Sequence, residues 1–285
     1  MDVSTFRART RSLASPAGDI AYTEFGTGPT ALFVHGIAVS GVLWRQAIEQ
    51  LQDTSRCIAI DLPAHGRSAA RDDMSPAALA ESLADLCDGL GLDQVDLVGN
   101  DTGGGVAQIF AARHPDRVRS LSLTNCDCEG NFPPPEFMPV IDQARQGALA
   151  PLMTGLAAAP EVWPTPTNPM SAMYQHPDRV PQDVWRDYLT GVGGTIERAR
   201  DAERLIAAID AADIDAVGEQ LRALEVPTLL VWGTNTPGFE IKWAHFLRDL
   251  IPGAREIIEV DGGTLFFPDE RPEDLVPHLR RHWRR

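Results

Sequence analysis

The sequence predicts an α/β protein with a mostly parallel β-sheet, and three observations carry that prediction. Apolar runs typical of strands alternate with helical patterns along the first part of the chain, which indicates crossover connections between parallel strands. One apolar run leads through Gly99-Asn100-Asp101-Thr102-Gly103 directly into a helical pattern that ends near His114. The alternation stops at about Glu129 and resumes after Glu225, so the sheet is expected to hold a long insertion.

Each element before the insertion has its own signal in the sequence. Two alternating runs at about residues 7–25 predict an antiparallel pair, and the continuous apolar run at 30–36 predicts a strand buried on both faces. Ser75 followed by Pro76 marks the start of a helix, because serine caps the first turn and proline fits its first position. The remaining predicted strands and helices have the sequences VLWRQAIEQL, RCIAIDLPAHG, VDLVGN and VRSLSLTNC.

The insertion differs from the rest of the chain in composition. Eleven of the 22 prolines lie between Pro133 and Pro181, and residues 183–224 are rich in Ala, Arg, Glu and Leu at helical spacing. We therefore predict a core of residues 1–128 and 226–285 and an inserted, mainly helical cap of residues 129–225. The sheet pattern resumes with PTLLVWG and REIIEVD, each followed by a helix, and the last helix is predicted to run to Arg285.

Composition narrows the range of partners. The formal charge of −15 over 285 residues argues against nucleic acid, whose phosphates would repel the protein. No apolar run has the length of a signal peptide or of a membrane span, so a cytoplasmic location and no membrane partner are predicted. Four cysteines without metal-site spacing predict reduced thiols and no metal. A monomer or a homodimer is expected.

Asp101 is the first candidate for chemistry. Gly-x-Asp-x-Gly between a strand and a helix has the form of a nucleophile elbow, a tight turn that presents its central side chain. A carboxylate at that position attacks carbon directly and forms an ester with the enzyme.

Five ordered motifs together resemble the α/β-hydrolase superfamily over nearly the full length, within it the haloalkane dehalogenase and epoxide hydrolase branch. The motifs are FVHGIAVSGVLW, AIDLPAHGRS, LVGNDTGGGVAQIFAARHPDRV, TLLVWGTN and FFPDERPEDLVPHL. The resemblance implies an eight-stranded sheet with the active site between the elbow and the cap. It also implies an oxyanion hole formed by the amides of Ile37 and Thr102, beside a loop shaped by His35.

The same resemblance places the acid and the histidine of the triad on residues that cannot act as an acid or a base. The acid position after the strand PTLLVWG is Asn235, and the alternative position after the preceding core strand is Asn125, with Asp127 two residues on. The histidine position falls on Leu265, or on Thr264 if the loop shifts by one residue. Since neither side chain accepts a proton near neutral pH, the sequence predicts a degenerate triad.

Residues of the predicted cap are the candidates for the missing halide-binding, proton-donating and basic groups. The halide-binding Trp that follows the nucleophile in dehalogenases is Thr102 here, so Trp163 or Trp185 would have to contact the halide. Tyr174 and Tyr188 match the tyrosines that protonate an epoxide, and His176 is the candidate for a substitute base. His35 and Asn125 complete the possible substrate-binding residues. An apolar, aromatic ligand is suggested by the side chains Phe132, Phe137, Met138, Met153, Trp163, Met170, Met173 and Trp185.

Three functions follow from these residues. We favour a non-hydrolytic enzyme of natural-product metabolism that needs no cofactor. In it, Asp101 removes a proton from a sizeable, apolar small molecule, aromatic or carbonyl-bearing, and the oxyanion hole stabilises the charge that develops on oxygen. The reaction would be an addition, a C–C bond formation, a cyclisation, an elimination or an isomerisation. The first alternative is a dehalogenase-like or epoxide-hydrolase-like enzyme that works through an Asp101 ester. The second alternative is a binding protein for a small molecule.

Overall fold

Eight strands form one mixed β-sheet in the computed structural model, which describes residues 1–284. Their order across the sheet is β1-β2-β4-β3-β5-β6-β7-β8, with β1 and β2 antiparallel to their neighbours and the rest parallel. This arrangement confirms the predicted fold class. The strands are β1 Thr10–Leu13, β2 Ile20–Phe25, β3 Thr30–Val34, β4 Arg56–Ile60, β5 Val95–Asp101, β6 Val118–Cys126, β7 Thr228–Gly233 and β8 Ala254–Val260.

Helices cover the sheet, and this explains the unbroken apolar runs of the central strands. All residues of β3 and β7 are buried, as expected where both faces of a sheet are packed. Helix α4 packs on β3, β5 and β6, and α11 packs on β7 and β8. The helices are α1 Val3–Arg7, α2 Arg45–Leu51, α3 Pro76–Gly89, α4 Thr102–Arg113, α5 Met138–Arg145, α6 Leu149–Ala157, α7 Gln182–Gly193, α8 Ile196–Ala207, α9 Ala212–Asp215, α10 Gly218–Arg222, α11 Ile241–Leu250, α12 Phe267–Glu270 and α13 Val276–Trp283.

Local signals in the sequence correspond to the observed helix ends. The Ser75 side chain accepts a hydrogen bond from the amide of Ala78 at the start of α3, and Pro76 is its first residue. The last helix, α13, ends at Trp283, and Arg285 lies outside the described residues.

The insertion between β6 and β7 is built from helices. Every residue from 127 to 227 is described, and none of them lies in a strand apart from an isolated bridge between Cys128 and Asn131. Helices α5, α6, α7 and α8 pack on one another, whereas α9 and α10 pack on α4 of the sheet layer. None of these helices, nor any other in residues 1–284, is long and apolar enough to cross a membrane.

The N-terminal helix α1 is an element that the sequence did not predict. Asp2 caps it by accepting a hydrogen bond from the Thr5 amide. Its last residue, Arg7, is buried and forms ion pairs with Asp61 after β4 and with Asp187 in α7. Helix α1 therefore ties the sheet layer to the insertion through a charge that is fully paired.

Candidate functional site

The elbow at Asp101 has the geometry that its sequence predicts. Strand β5 ends at Asp101 and α4 begins at Thr102, with Asp101 at φ 56° and ψ −137°. This backbone conformation is strained for a residue with a side chain. The turn is also very tight, because a Cβ added at Gly103 would lie 2.2 Å from the carbonyl oxygen of His35. Glycine at position 103 is thus required by the close approach of the β3 loop.

Asp101 lies at the base of a cavity of about 260 Å³ that opens between the sheet and the insertion. The wall is mainly apolar, with side chains from the insertion and from the loops after β7 and β8. Three carboxyl groups line it, those of Asp101, Asp127 and Glu136, and within residues 1–284 no Lys, Arg or His does so. Its largest apolar side chains are Phe132, Phe137, Met170, Met173, Phe239 and Phe266.

The amides predicted to form the oxyanion hole act on Asp101 itself. The amide of Ile37 donates to Oδ2 of Asp101 at 3.0 Å. Burial raises the pKa of Asp101 to about 7, and hydrogen bonds from the backbones of Ile37 and Thr102 partly oppose this rise. The Ile37 amide is therefore occupied by the carboxyl group while Asp101 keeps this conformation, and it is not free for a substrate oxygen.

Two buried histidines hold the loop that carries Ile37. Nε2 of His35 accepts from the amide of Leu62 at 2.9 Å, and Nε2 of His65 accepts from the amide of Ala38 at 3.0 Å. Burial lowers the pKa of both rings, that of His65 to about 4, so each is neutral and donates through Nδ1 to a backbone carbonyl. His35 does not line the cavity; its contacts brace the loop beneath the site.

Asp127 is a residue of the site that the sequence analysis did not select. It follows β6, lines the cavity and is 1% exposed. Its Oδ2 accepts from the Thr102 hydroxyl at 2.9 Å, and its Oδ1 has no hydrogen-bond partner among the described residues. Burial and the neighbouring charge of Asp101 raise its pKa well above the usual range. Its position two residues after Asn125, at the carboxyl end of a core strand, was the signal available in the sequence.

Comparison with known proteins places this geometry in a family. The family model for the alpha/beta hydrolase fold matches residues 29–271. The chain belongs to the α/β-hydrolase fold family. It is 25% identical to epoxide hydrolase 1 of Caenorhabditis elegans over 291 residues, which cover 91% of this chain and 66% of that protein.

Further matches agree with the branch suggested by the motifs. Haloalkane dehalogenase 2 of Mycobacterium tuberculosis is 32% identical over 131 residues, 44% of each chain. The solved structure of an epoxide hydrolase from Vigna radiata superposes with a TM-score of 0.79 at 16% identity, covering 97% of this chain and 98% of that one. The chain is thus similar in sequence to an epoxide hydrolase and to a haloalkane dehalogenase, and similar in fold to a second epoxide hydrolase.

The two asparagines at possible acid positions of the α/β-hydrolase triad lie outside the cavity. Asn125 is fully buried; its Nδ2 donates to the Gly233 carbonyl at 2.9 Å, and its Oδ1 accepts from the Gly233 amide at 2.6 Å. It thereby joins the ends of β6 and β7. Asn235 is exposed, and its backbone amide donates to the Gly263 carbonyl. Neither amide side chain contacts Asp101.

The two residues at the histidine position have different surroundings. Leu265 lines the cavity, and its carbonyl accepts from Nδ2 of Asn100 at 3.0 Å. Thr264 is buried outside the cavity, with its hydroxyl 3.4 Å from Oε2 of Glu270. An aliphatic side chain thus lines the cavity at the position where the sequence motifs place the histidine.

None of the five candidates from the insertion lines the cavity, namely Trp163, Tyr174, His176, Trp185 and Tyr188. His176 is exposed, and Trp163 donates to the Leu156 carbonyl inside the insertion. The Tyr174 hydroxyl lies 3.3 Å from that of Tyr188 and 3.1 Å from Oδ2 of Asp269, and Trp185 packs edge-on against the Tyr174 ring. Of the eight side chains expected to line an apolar pocket, four do so: Phe132, Phe137, Met170 and Met173.

Buried side chains with metal-binding chemistry are not clustered in the part of the chain that is described. No group of three or more His, Cys, Asp or Glu side chains there is placed to hold a metal ion. The four cysteines are buried and unpaired with one another. Among the described residues, the polar side chains that line the cavity are those of Asp101, Thr102, Asp127 and Glu136.

Proposed function

We propose that this α/β-hydrolase-fold protein is a cofactor-independent, non-hydrolytic enzyme whose Asp101 removes a proton next to a carbonyl group of a small molecule. The observation that carries the proposal is a carboxyl held by the elbow in the wall of an apolar cavity that no histidine of residues 1–284 lines. Burial there raises the pKa of Asp101 to about 7. A base is most effective when its pKa lies near the working pH. Substrate binding between the core and residues 129–225, acting as a cap, is part of the proposal.

The cavity wall indicates the kind of substrate. Aromatic and methionine side chains favour a flat, apolar ligand, since rings and thioethers contact aromatic surfaces well. Three carboxyls without a facing cation in residues 1–284 disfavour anionic compounds, because ligand and wall would repel each other. A neutral aromatic ketone or a related intermediate of natural-product metabolism meets both conditions.

A hydrolase that works through an Asp101 ester is the second candidate. The Ile37 amide on Oδ2 favours it, because that contact fixes the carboxylate and leaves Oδ1 available for attack on carbon. Hydrolysis of the ester would still need a base to activate water, and loss of a triad member costs roughly 10³–10⁶ in rate. This candidate therefore predicts an ester that accumulates. A binding protein, the third candidate, would perform neither step.

Exchange of carbon-bound hydrogen for deuterium tests the proposal without the natural substrate. Deoxybenzoin and 2-tetralone are incubated with the protein in D2O, and loss of the α-proton signal is followed by NMR. The wild type should accelerate exchange, and Asp101→Asn should lower the enzymatic rate by roughly 10²–10⁴, the usual value of one positioned base. Asp142→Asn, on the exposed face of α5, is the matched control and should keep the wild-type rate.

The competing functions give different results under the same conditions. Exchange that is absent with both ketones, or unchanged in Asp101→Asn, would refute proton abstraction by Asp101. Incubation with 1-bromobutane, styrene oxide and 4-nitrophenyl butyrate followed by intact-mass measurement tests the ester. Sustained release of bromide, diol or nitrophenol would establish hydrolysis, whereas an added mass on Asp101 with no turnover would indicate a stalled ester.

A further inference from the structure

We infer that Asp127 is a second catalytic residue, a carboxylic acid that protonates the substrate oxygen while Asp101 removes the proton from carbon. The inference rests on the proposed function of Asp101 and assigns the partner that this step needs. It follows from where Asp127 lies, from which hydrogen-bond donors of the cavity are already occupied and from the charges around it.

Two hydrogen bonds fix the position of Asp127. Its backbone carbonyl accepts from Nε2 of Gln108 in α4 at 2.7 Å, and its Oδ2 accepts from the hydroxyl of Thr102 at 2.9 Å. Its Oδ1 is buried without a partner in the described residues. Because a carboxylic acid accepts through its carbonyl oxygen and donates through the other, the Thr102 contact places the acidic proton on Oδ1. A buried polar atom left unpaired beside a cavity is costly unless a ligand satisfies it.

A substrate oxygen in this cavity needs a donor, and both the Ile37 amide and the Thr102 hydroxyl are occupied. The Ile37 amide already binds Asp101, and the Thr102 hydroxyl already binds Asp127. The remaining side chains that line the cavity within residues 1–284 are Ala, Ile, Leu, Met, Phe, Pro and Val, together with Glu136 at the exposed mouth and a glycine. The acidic oxygen of Asp127 is therefore the donor best placed to meet an enolate oxygen formed beside Asp101.

The surroundings keep Asp127 protonated when Asp101 is ionised. The titratable groups near it among the described residues are the carboxyls of Asp101, Glu129 and Glu136 and the thiols of its sequence neighbours, and none of them is a cation. Burial raises the pKa of both thiols, so they are uncharged. Backbone hydrogen bonds from Ile37 and Thr102 stabilise the ionised form of Asp101, whereas the carboxyl of Asp127 accepts only from the Thr102 hydroxyl. Asp101 is therefore the carboxyl that ionises first, and its charge raises the pKa of Asp127 further. Two carboxyls whose pKa values are separated in this way form an acid and base pair.

The proton transfers balance within the pair. Asp101 starts as a carboxylate and Asp127 as an acid. Asp101 takes the proton from the α-carbon, the C–H electron pair forms the C=C bond, and the carbonyl π pair moves to oxygen, which takes the proton of Asp127. The product is an enol, with Asp101 now protonated and Asp127 ionised. The site holds one proton and one negative charge before and after the step, so no further reactant is needed.

The pH profile of deuterium exchange by the wild type and Asp127→Asn is the decisive measurement. In the wild type the rate should rise through a pH of about 7 as Asp101 ionises and fall at higher pH as Asp127 loses its proton. Asp127→Asn keeps the shape and an oxygen for the Thr102 hydroxyl but removes the acidic proton. Its exchange rate should drop by roughly 10²-fold or more, and its profile should lack the alkaline fall.

A second variant separates the acid role from a role in folding alone. Thr102→Val removes the hydroxyl that favours the ionised form of Asp127, so the alkaline fall should move to higher pH with the rising limb unchanged. If the wild type catalyses exchange and the alkaline fall is still present in Asp127→Asn, Asp127 is not the acid. That result would not affect the proposed role of Asp101. No exchange by the wild type would instead refute the proposed function itself.

Discussion

Two kinds of buried carboxyl coexist in this protein, and they differ in their partners. Asp61 and Asp269 are almost fully buried, and each faces a buried arginine, Arg7 and Arg45 respectively. Asp127 is as deeply buried and Asp101 is half-buried in the cavity wall, and neither has a cation beside it among the described residues. The first pair joins elements of the fold, and the second pair lines the cavity.

The difference shows what each pair can do. A buried charge is tolerated when an opposite charge and several hydrogen bonds replace the lost water. Asp61 has both, since it also accepts from the amides of Gly41 and Arg67. An unpaired buried carboxyl instead responds by holding its proton more tightly. A carboxyl paired with a cation is thus suited to joining elements of the fold, and an unpaired carboxyl is suited to accepting and donating protons.

Removing the cation from a paired carboxyl should give the largest effect on stability. In Arg45→Met the charge of Asp269 stays buried beside Tyr174 without its counter-ion. The free energy of unfolding should fall by roughly 3–5 kcal/mol, the usual loss when one partner of a buried ion pair is removed. Denaturation in guanidinium chloride measures it. Arg255→Met, at an exposed position of β8, should change stability by less than about 0.5 kcal/mol, and an equal loss in both variants would contradict the comparison.

Neutralising an unpaired carboxyl should raise the free energy of unfolding, by less than the loss of a buried cation lowers it. At pH 8 the wild type must hold Asp101 ionised in an apolar cavity, and Asp101→Asn removes that requirement while keeping the shape. The variant should be more stable by roughly 1–3 kcal/mol, as is common when a functional group is removed from a strained site. Thermal unfolding at pH 8 measures this, with Asp269→Asn, which leaves Arg45 unpaired, expected to be less stable than the wild type.

The gain in the free energy of unfolding of Asp101→Asn over the wild type should increase as the pH rises. Below about pH 3.8 Asp101 is protonated in both folded and unfolded wild type, and the variant gains nothing. Between pH 3.8 and about 7 the unfolded chain releases the proton that the folded protein keeps, so wild-type stability falls as pH rises. Above that window the difference is constant. A gain that is as large at pH 4 as at pH 8 would show that it does not come from ionisation.

The smallest effect on stability is expected at the two tyrosines next to the ion pair of Arg45 and Asp269. Tyr174→Phe removes one hydroxyl from Asp269 and Tyr188 and should lower the free energy of unfolding by about 1 kcal/mol, a typical value for one hydrogen bond. Since neither tyrosine lines the cavity, the rate and pH profile of deuterium exchange should stay those of the wild type. A loss of exchange in Tyr174→Phe would assign this tyrosine to the chemistry after all.

The sequence predicted those parts of the molecule that depend on local pattern. The sheet, the elbow at Asp101 and the cap on α3 at Ser75 each follow from neighbouring residues. Helix α1 was missed, because its stability depends on ion pairs of Arg7 with residues far along the chain. The family comparison confirmed the α/β-hydrolase fold, and the role of each site residue stays a prediction.

Asp127 and the tyrosines show why the site was harder to predict than the fold. A sequence motif fixes which residue ends a strand, but it does not fix which neighbouring side chains share a cavity. Asp127 enters the site because β6 runs beside β5 and ends at Cys126. Tyr174 and Tyr188 do not line the cavity, because they lie in a buried polar cluster with Asp269 and Arg45. Both outcomes depend on contacts between distant segments.

The backbone around the cavity has a consequence for how this site can change. Non-glycine residues with positive φ include Ala38, Asp101 and Asn125, which lie at the ends of or just after the neighbouring strands β3, β5 and β6. Each such conformation costs roughly 1–3 kcal/mol and persists where the surroundings hold it rigidly. The middle of a sheet provides that rigidity, and an edge strand does not. Side chains of the cavity wall can therefore be exchanged to admit new ligands, whereas the sheet fixes the position of the Asp101 carboxyl.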